Sequence, residues 1–196
     1  MERRAAMAEQ LINGQVIEAC QQGDRDAFQC LFEAYKDKVF SIAVYSSGGD
    51  RTLAEDITQQ IFLKLFTAIK QFRGESEFTT WLYRLVVNAC LDERRRSRRL
   101  LPWGDTVPVK NVSDKKPQER QYARLEVAEA VRGAIEELKP KFRLPILLKY
   151  IEGLSYEEIA DVMGCSKGTV ASRLNRGHSQ LAKRLSHLNS PSLWGE

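Results

Sequence analysis

The stretch Leu154–Leu185, LSYEEIADVMGCSKGTVASRLNRGHSQLAKRL, constrains the fold more than any other part of the chain. Its punctuation admits two helices and a tight turn. Ser155 with Glu158 three residues on is a capping-box pattern at a helix start. Ile159, Ala160 and Met163 recur at helical spacing, and Gly164 stands where a helix end favours positive φ. Ser166 caps the second helix. At 100° per residue, Val170, Leu174, Leu181 and Leu185 share one side, with Gly168, Thr169, Ser172, Asn175 and Arg176 roughly opposite. That outer face is small, polar and basic, as a helix in a DNA major groove requires. The same pattern also suits a helical hairpin with a solvated face.

Upstream, the helical period continues. Residues 1–12 read as loosely ordered, and Gln15–Gln22 as a short helix stopped by Gly23. Asp24 caps a longer helix whose inner face holds Phe28, Leu31, Phe32, Tyr35, Val39, Phe40 and Ala43. SSGGD (46–50) breaks it. The next helix, Leu53 to about Lys70, turns Leu53, Ala54, Ile57, Ile61, Leu65, Ala68 and Ile69 inward. Outside lie Asp56, Gln59, Gln60, Leu63 and Thr67: an apolar residue ringed by acid and amides, which is either a lone exposed leucine or an anchor within a polar rim. QFRGESEF (71–78) connects to a helix from Thr79 to about Ser97. Trp81, Leu82, Leu85, Val86 and Ala89 are expected inside it, with Thr80, Tyr83, Arg84, Val87, Leu91 and Arg94 outside. Aromatic and basic groups beside a polar loop suit unpaired bases and phosphates; the alternative is a helix that buries both faces. Five arginines within Arg94–Arg99 exceed what a helix C-terminus needs.

Residues 101–118, LPWGDTVPVKNVSDKKPQ, carry three of the six prolines and no period, as a linker would, with Trp103 and Val107 able to dock. Beyond it, Leu125, Ala128, Val131, Ile135 and Leu138 form a helical stripe closed at Lys139–Pro140. Phe142, Ile146, Leu147 and Tyr150 mark another helix, whose first turn Pro145 should weaken or displace. Gly153 ends it. The tail after Leu188, with Trp194, reads as frayed. No strand-period segment or repeat is found, so the fold class is all-α: two small helical domains joined by a flexible linker. The divisions are residues 1–100, a linker at 101–118, 119–188 with the helix–turn–helix at 155–176, and a tail at 189–196.

Composition narrows the function classes. A net charge of +4 is too small to argue for nucleic acid, but the Arg94–Arg99 run and Lys167, Arg173, Arg176, Lys183 and Arg184 are local clusters. Cys20, Cys30, Cys90 and Cys165 are scattered, with no CxxC or zinc-like spacing, and read as small apolar residues or free thiols. His178 and His187 have no partner motif and read as surface groups. There is no Gly-rich phosphate loop, HExxH pair or nucleophile elbow. No catalytic residue, metal or cofactor is expected. No apolar run is long enough to cross a bilayer, and the start MERRAAMAEQ is not a secretory signal, which implies a cytoplasmic protein.

Three segments in order, AEDITQQIFLKLF (54–66), FRGESEFTTWLYRLVVNACLDERRRSRR (72–99) and LSYEEIADVMGCSKGTVASRL (154–174), resemble the extracytoplasmic-function (ECF) group of bacterial RNA polymerase sigma factors. The resemblance covers about residues 25–186 and implies a sigma-two and a sigma-four domain. It implies that Asp56, Gln59, Gln60 and Leu63 bind core polymerase. Phe72, Arg73, Gly74, Glu75 and Ser76 would capture a flipped base of the minus-ten element, with Tyr83, Arg84, Asn88, Arg94 and Arg95 holding the opened strand. Ser166, Lys167, Thr169, Ser172, Arg173 and Arg176 would read the minus-thirty-five element as duplex. The implied partners are core polymerase, promoter DNA in duplex and single-stranded form, and an anti-sigma factor, with the free protein a monomer. Three positions depart from the pattern: Ala171 and the Arg176–Gly177–His178–Ser179 run, poor in cations and interrupted by a glycine, and Pro145. The alternatives are a regulator that uses only the helix–turn–helix on duplex DNA, and a protein-binding adaptor.

Overall fold

The computed structural model describes residues 12–100 and 119–186, with side chains over 12–96 and 126–186. Expectations for the N-terminal residues, the linker with Trp103 and Val107, His187 and the tail lie outside the described residues, and those for Arg98, Arg99 and Leu125 outside the described side chains. Eight α-helices are described: α1 (Gly14–Gln21), α2 (Arg25–Ser46), α3 (Arg51–Ala68), α4 (Phe78–Leu100), α5 (Glu119–Glu136), α6 (Pro140–Tyr150), α7 (Tyr156–Met163) and α8 (Lys167–Arg184). A 3₁₀ turn, Ile69–Gln71, follows α3. No strand occurs among the described residues. The helices form two compact units, one centred on the N-terminal and one on the C-terminal helices.

In the first unit the starts of α1, α2 and α3 are each fixed by a side chain. Asn13 Oδ1 accepts from the Val16 N–H at 3.1 Å, Asp24 Oδ1 from the Asp26 and Ala27 N–H groups at 2.8 and 3.0 Å, and Asp50 Oδ1 from the Leu53 N–H at 3.0 Å. The Asp50 cap explains why α3 begins two residues before its first apolar position. α2 packs along α3, and α4 lies against both; α1 covers α2 and the 3₁₀ turn. The shared core is Leu31, Tyr35, Val39, Ile42, Ile57, Ile61, Leu65, Leu82 and Val86.

Helix α4 departs from the expected two-sided pattern. Thr80, Tyr83 and Val87, placed outside by sequence, are only 3%, 2% and 1% exposed. A helix wedged between two others buries a wider arc than one apolar stripe. Trp81 and Leu85, expected inside, are half-buried. Cys90 is interior as well, and burial pushes its thiol pKa up to about 11, which makes it an inert packing group. All four cysteines are free.

In the second unit α6 is buried along nearly its whole length: Phe142, Arg143, Leu144, Pro145, Ile146, Leu147 and Leu148 are all interior. Pro140 occupies the first turn, where its missing N–H costs nothing. Pro145 neither weakens nor displaces that turn but sits inside the helix. Only the bond to the carbonyl of Lys141, an exposed residue, is forfeited, and apolar burial outweighs it. Arg143, 5% exposed, donates from Nη2 to the carbonyls of Glu136 and Leu138, the latter at 2.9 Å. It places a cation on the unsatisfied carbonyl end of α5. Burial raises the Glu136 pKa, opposed by Arg143 and Arg132.

Candidate nucleic-acid interface and docking face

On α3, Asp56, Gln59, Gln60 and Leu63 are all exposed, as their spacing predicted, and Leu63 is 64% exposed. Beside them lies a feature that sequence reasoning missed. Phe28, Phe32 and Phe40 of α2 do not join the core with Leu31, Tyr35 and Val39. They meet Phe62, Leu63 and Phe66 of α3 along an open cavity of about 570 Å³. Phe28 packs edge-on to Phe66 at 5.1 Å between ring centroids, and Phe32 on Phe62 at 4.7 Å. Lys36, Asp37, Glu55 and Gln59 form its rim. The available signal was breadth: the apolar positions of α2 cover roughly 180° at 100° per residue, more than one helix contact needs.

The loop after the 3₁₀ turn leaves an aromatic platform. Phe72 lies 5.6 Å from Phe78 and 5.3 Å from Trp81, and Phe78 is 5.9 Å from Tyr35. Arg73, Gly74 and Glu75 are exposed, while Phe72 and Ser76 are half-buried. Among the other residues expected at unpaired DNA, Asn88 and Arg95 are exposed, as is the neighbouring Arg96, and Arg84 and Arg94 are half-buried. Arg95 pairs with Asp92 at 3.2 Å. Tyr83 is the exception: its ring is inside the unit and presents no stacking face.

The helix–turn–helix follows its punctuation closely. The Ser155 N–H donates to Glu158 Oε2 at 2.7 Å, and the Glu158 N–H to Ser155 Oγ at 3.2 Å, a reciprocal capping box. The Ser155 side chain and then its backbone N–H, both hydrogen-bonded to the Glu158 carboxyl, lower its pKa. Gly164 adopts φ +59°, so the turn closes without the strain a side chain would bring. Ser166 Oγ accepts from the Thr169 N–H at 3.2 Å and shares a 2.9 Å bond with Thr169 Oγ1. Both hydroxyls are therefore engaged in capping α8.

Val170 and Leu174 are buried, and Gly168, Ser172, Asn175 and Arg176 are exposed, as expected, while Thr169, Leu181 and Leu185 are half-buried. The cations differ among themselves. Lys167 pairs with Glu157 across the turn, and its ammonium lowers the Glu157 pKa. Arg173 is half-buried, its Nη1 donating weakly to Cys165 Sγ at 3.6 Å. Arg184 pairs with Glu137 at 2.8 Å, and His178 Nε2 lies 2.9 Å from the Tyr150 hydroxyl. Arg176 stands out on the exposed face. Gly177, which sequence treated as a gap in a basic run, faces inward instead: a Cβ built there would sit 2.6 Å from Ile146 Cδ1. Its function is close approach of α8 to α6. No group of three or more potential metal ligands occurs among the described residues, and none of their helices is long and apolar enough to cross a membrane.

Two families match the chain in this order: Sigma-70 region 2 over residues 31–100, and Sigma-70, region 4 over residues 128–181. The ECF RNA polymerase sigma-E factor of Haemophilus influenzae is 34% identical over 191 residues, covering 93% of this chain and 100% of that protein. The sigma-E factor of Escherichia coli K12 is 34% identical over 194 residues, covering 93% and 98%. The RNA polymerase sigma-H factor of Pseudomonas aeruginosa is 34% identical over 182 residues, covering 89% and 94%. Among solved structures, CnrH in complex with the cytosolic domain of CnrY matches with TM-score 0.64 and 25% identity, covering 89% of this chain and 97% of that one. RpoE of Bartonella quintana, solved with the anti-sigma factor NepR, shares the fold with TM-score 0.65 and 21% identity, covering 81% and 96%. The chain belongs to the ECF family of RNA polymerase sigma factors.

Proposed function

We propose that this sigma factor is a dissociable promoter-specificity subunit that divides its work between its two units. Asp56, Gln59, Gln60 and Leu63 dock on core polymerase, with the phenylalanine groove between α2 and α3 continuing that surface. The observation that carries this reading is the 64% exposure of Leu63 within a polar rim and beside an open apolar groove. Exposed Leu63 and Phe66 with half-buried Phe28, Phe32 and Phe40, all over a buried Phe62, fit a partner surface, whereas scattered exposed residues would not. A helix–turn–helix regulator acting alone has no use for it.

The loop Phe72–Ser76, anchored on its aromatic platform, captures a flipped base of the minus-ten element. Arg84, Asn88, Arg94 and Arg95 hold the opened strand. Tyr83 contributes by packing rather than by touching DNA. Ser172 and Arg176 face the duplex minus-thirty-five element from α8, and Arg173 supports them at the groove edge. Lys167 reaches a phosphate after leaving Glu157, and Ser166 and Thr169 hold the helix N-terminus that points at the backbone. The polymerase performs the phosphoryl chemistry and this chain performs none. It acts in the cytoplasm, as a monomer when free, and an anti-sigma factor masks the docking face; relatives solved with CnrY and NepR support that regulation.

Competition for core polymerase tests the docking face. Leu63→Glu should lose at least tenfold in core affinity, the scale of one interface hot spot at about 2 kcal/mol. Its melting temperature should not fall, because the residue is exposed. A variant that competes as well as the parent chain refutes the assignment.

A further inference from the structure

We infer that Gln21, at the end of α1, is a positioning residue for the base-capturing loop. Its side-chain amide donates both hydrogens from Nε2, one to the carbonyl of Ile69 at 3.0 Å and one to that of Phe72 at 2.8 Å. Those carbonyls bracket the 3₁₀ turn, and Phe72 is the residue at which the chain becomes extended (φ −69°, ψ 119°) and enters the loop. The Phe72 N–H already donates to the Ile69 carbonyl at 3.1 Å, so the amide clamps a turn closed on itself. Fixing the Phe72 backbone also fixes its ring against Trp81 and Phe78, and the loop is then held between two anchored points, Phe72 and Phe78. Gln21 lies outside the matched region 2, which begins at residue 31. The clamp is therefore supplied to that region by a separate helix. Removing it lets the loop sample other conformations, and capture of a base then includes the entropic cost of ordering it.

The inference rests on the proposed reading of the loop, and the experiment separates the two. Holoenzyme is reconstituted from the full chain and core polymerase, and a promoter is selected from a randomised duplex pool. Opening is followed by permanganate reactivity of unpaired thymines on that promoter and on versions substituted at each minus-ten position. The readout is the ratio of opening on matched to mismatched DNA, which a smaller folded fraction would not change. Gln21→Met, similar in length but without donors, should lower the ratio roughly tenfold, the scale of two lost hydrogen bonds. Gln21→Lys, which restores donors, should retain most of it. Core affinity should be unchanged in both. A ratio unchanged in Gln21→Met, or reduced equally in both variants, overturns the inference. Glu75→Ala, inside the loop, is run in parallel. If it shifts the ratio and Gln21→Met does not, the positioning role alone fails; if neither shifts it, the loop reading fails with it.

Discussion

Helices α4 and α8 both carry residues assigned to DNA, yet their packing differs. α8 leans on the second unit with one side: Val170, Leu174 and Gly177 are buried, and Ser172, Asn175 and Arg176 are exposed. α4 lies against both α2 and α3, so Leu82 and Val86 and also Tyr83 and Val87 are interior. α8 touches α6 and α5 but buries only one side, and so keeps a free face for a ligand. α4 buries a wider arc and has little left beyond its ends and a narrow strip, here Asn88, Asp92, Arg95 and Arg96. Substitutions at equivalent-looking positions on the two helices should therefore report different quantities.

The largest expected difference is at Tyr83. Tyr83→Ala removes a buried ring and should destabilise the chain by about 3 kcal/mol, measured by chemical denaturation. Loss of strand binding with unchanged stability would instead return Tyr83 to the DNA face. Arg176→Ala should do the reverse. Stability should stay within about 0.5 kcal/mol, while duplex affinity falls by about 1–3 kcal/mol for a base contact, or the salt dependence loses about one unit of slope for a phosphate. An Arg176→Ala variant that melts early but binds normally would show that α8 is not one-sided.

Gly177 sharpens the contrast on α8 itself. Alanine gains up to about 1 kcal/mol of helix propensity there, but its Cβ meets the buried Ile146 side chain. In an Ile146→Val background the Cδ1 atom is gone. Gly177→Ala should then be more favourable than in the parent by about 1 kcal/mol, read from a double-mutant cycle. Additive effects would mean that the two helices do not touch as described. The smallest effect is at the capping box, where Ser155→Ala should cost about 1 kcal/mol. Because the folded Glu158 pKa is depressed, its contribution is complete above the unfolded value of about 4.3 and is lost as pH falls through the lower folded value. Acid titration of thermal stability should show that loss in the parent chain and not in Glu158→Gln.

Features set by local chemistry were legible in the sequence. The caps at Asp24, Ser155 and Ser166, the turn at Gly164 and the Asp56–Gln59–Gln60–Leu63 face follow from one helix and its own residues. What escaped depends on a second element. Phe28, Phe32 and Phe40 looked like core until α3 placed Phe62 and Phe66 across from them. Tyr83 looked external until two helices covered it, and Pro145 looked disruptive until burial on all sides outweighed one lost bond. Arg143 and Gln21 join carbonyls on other elements, and polar residues at such positions carry no periodic signal.

Docking on core polymerase and reading of DNA should cooperate in one initiation event. The direct measurement is run-off transcription by core polymerase, with and without this chain, on a promoter selected from a randomised duplex pool. Initiation should depend on both the chain and the promoter, and at limiting concentrations of the chain Leu63→Glu should reduce it at least tenfold. Binding of duplex DNA by the isolated chain, with no association with core polymerase and no transcript, would contradict that cooperation.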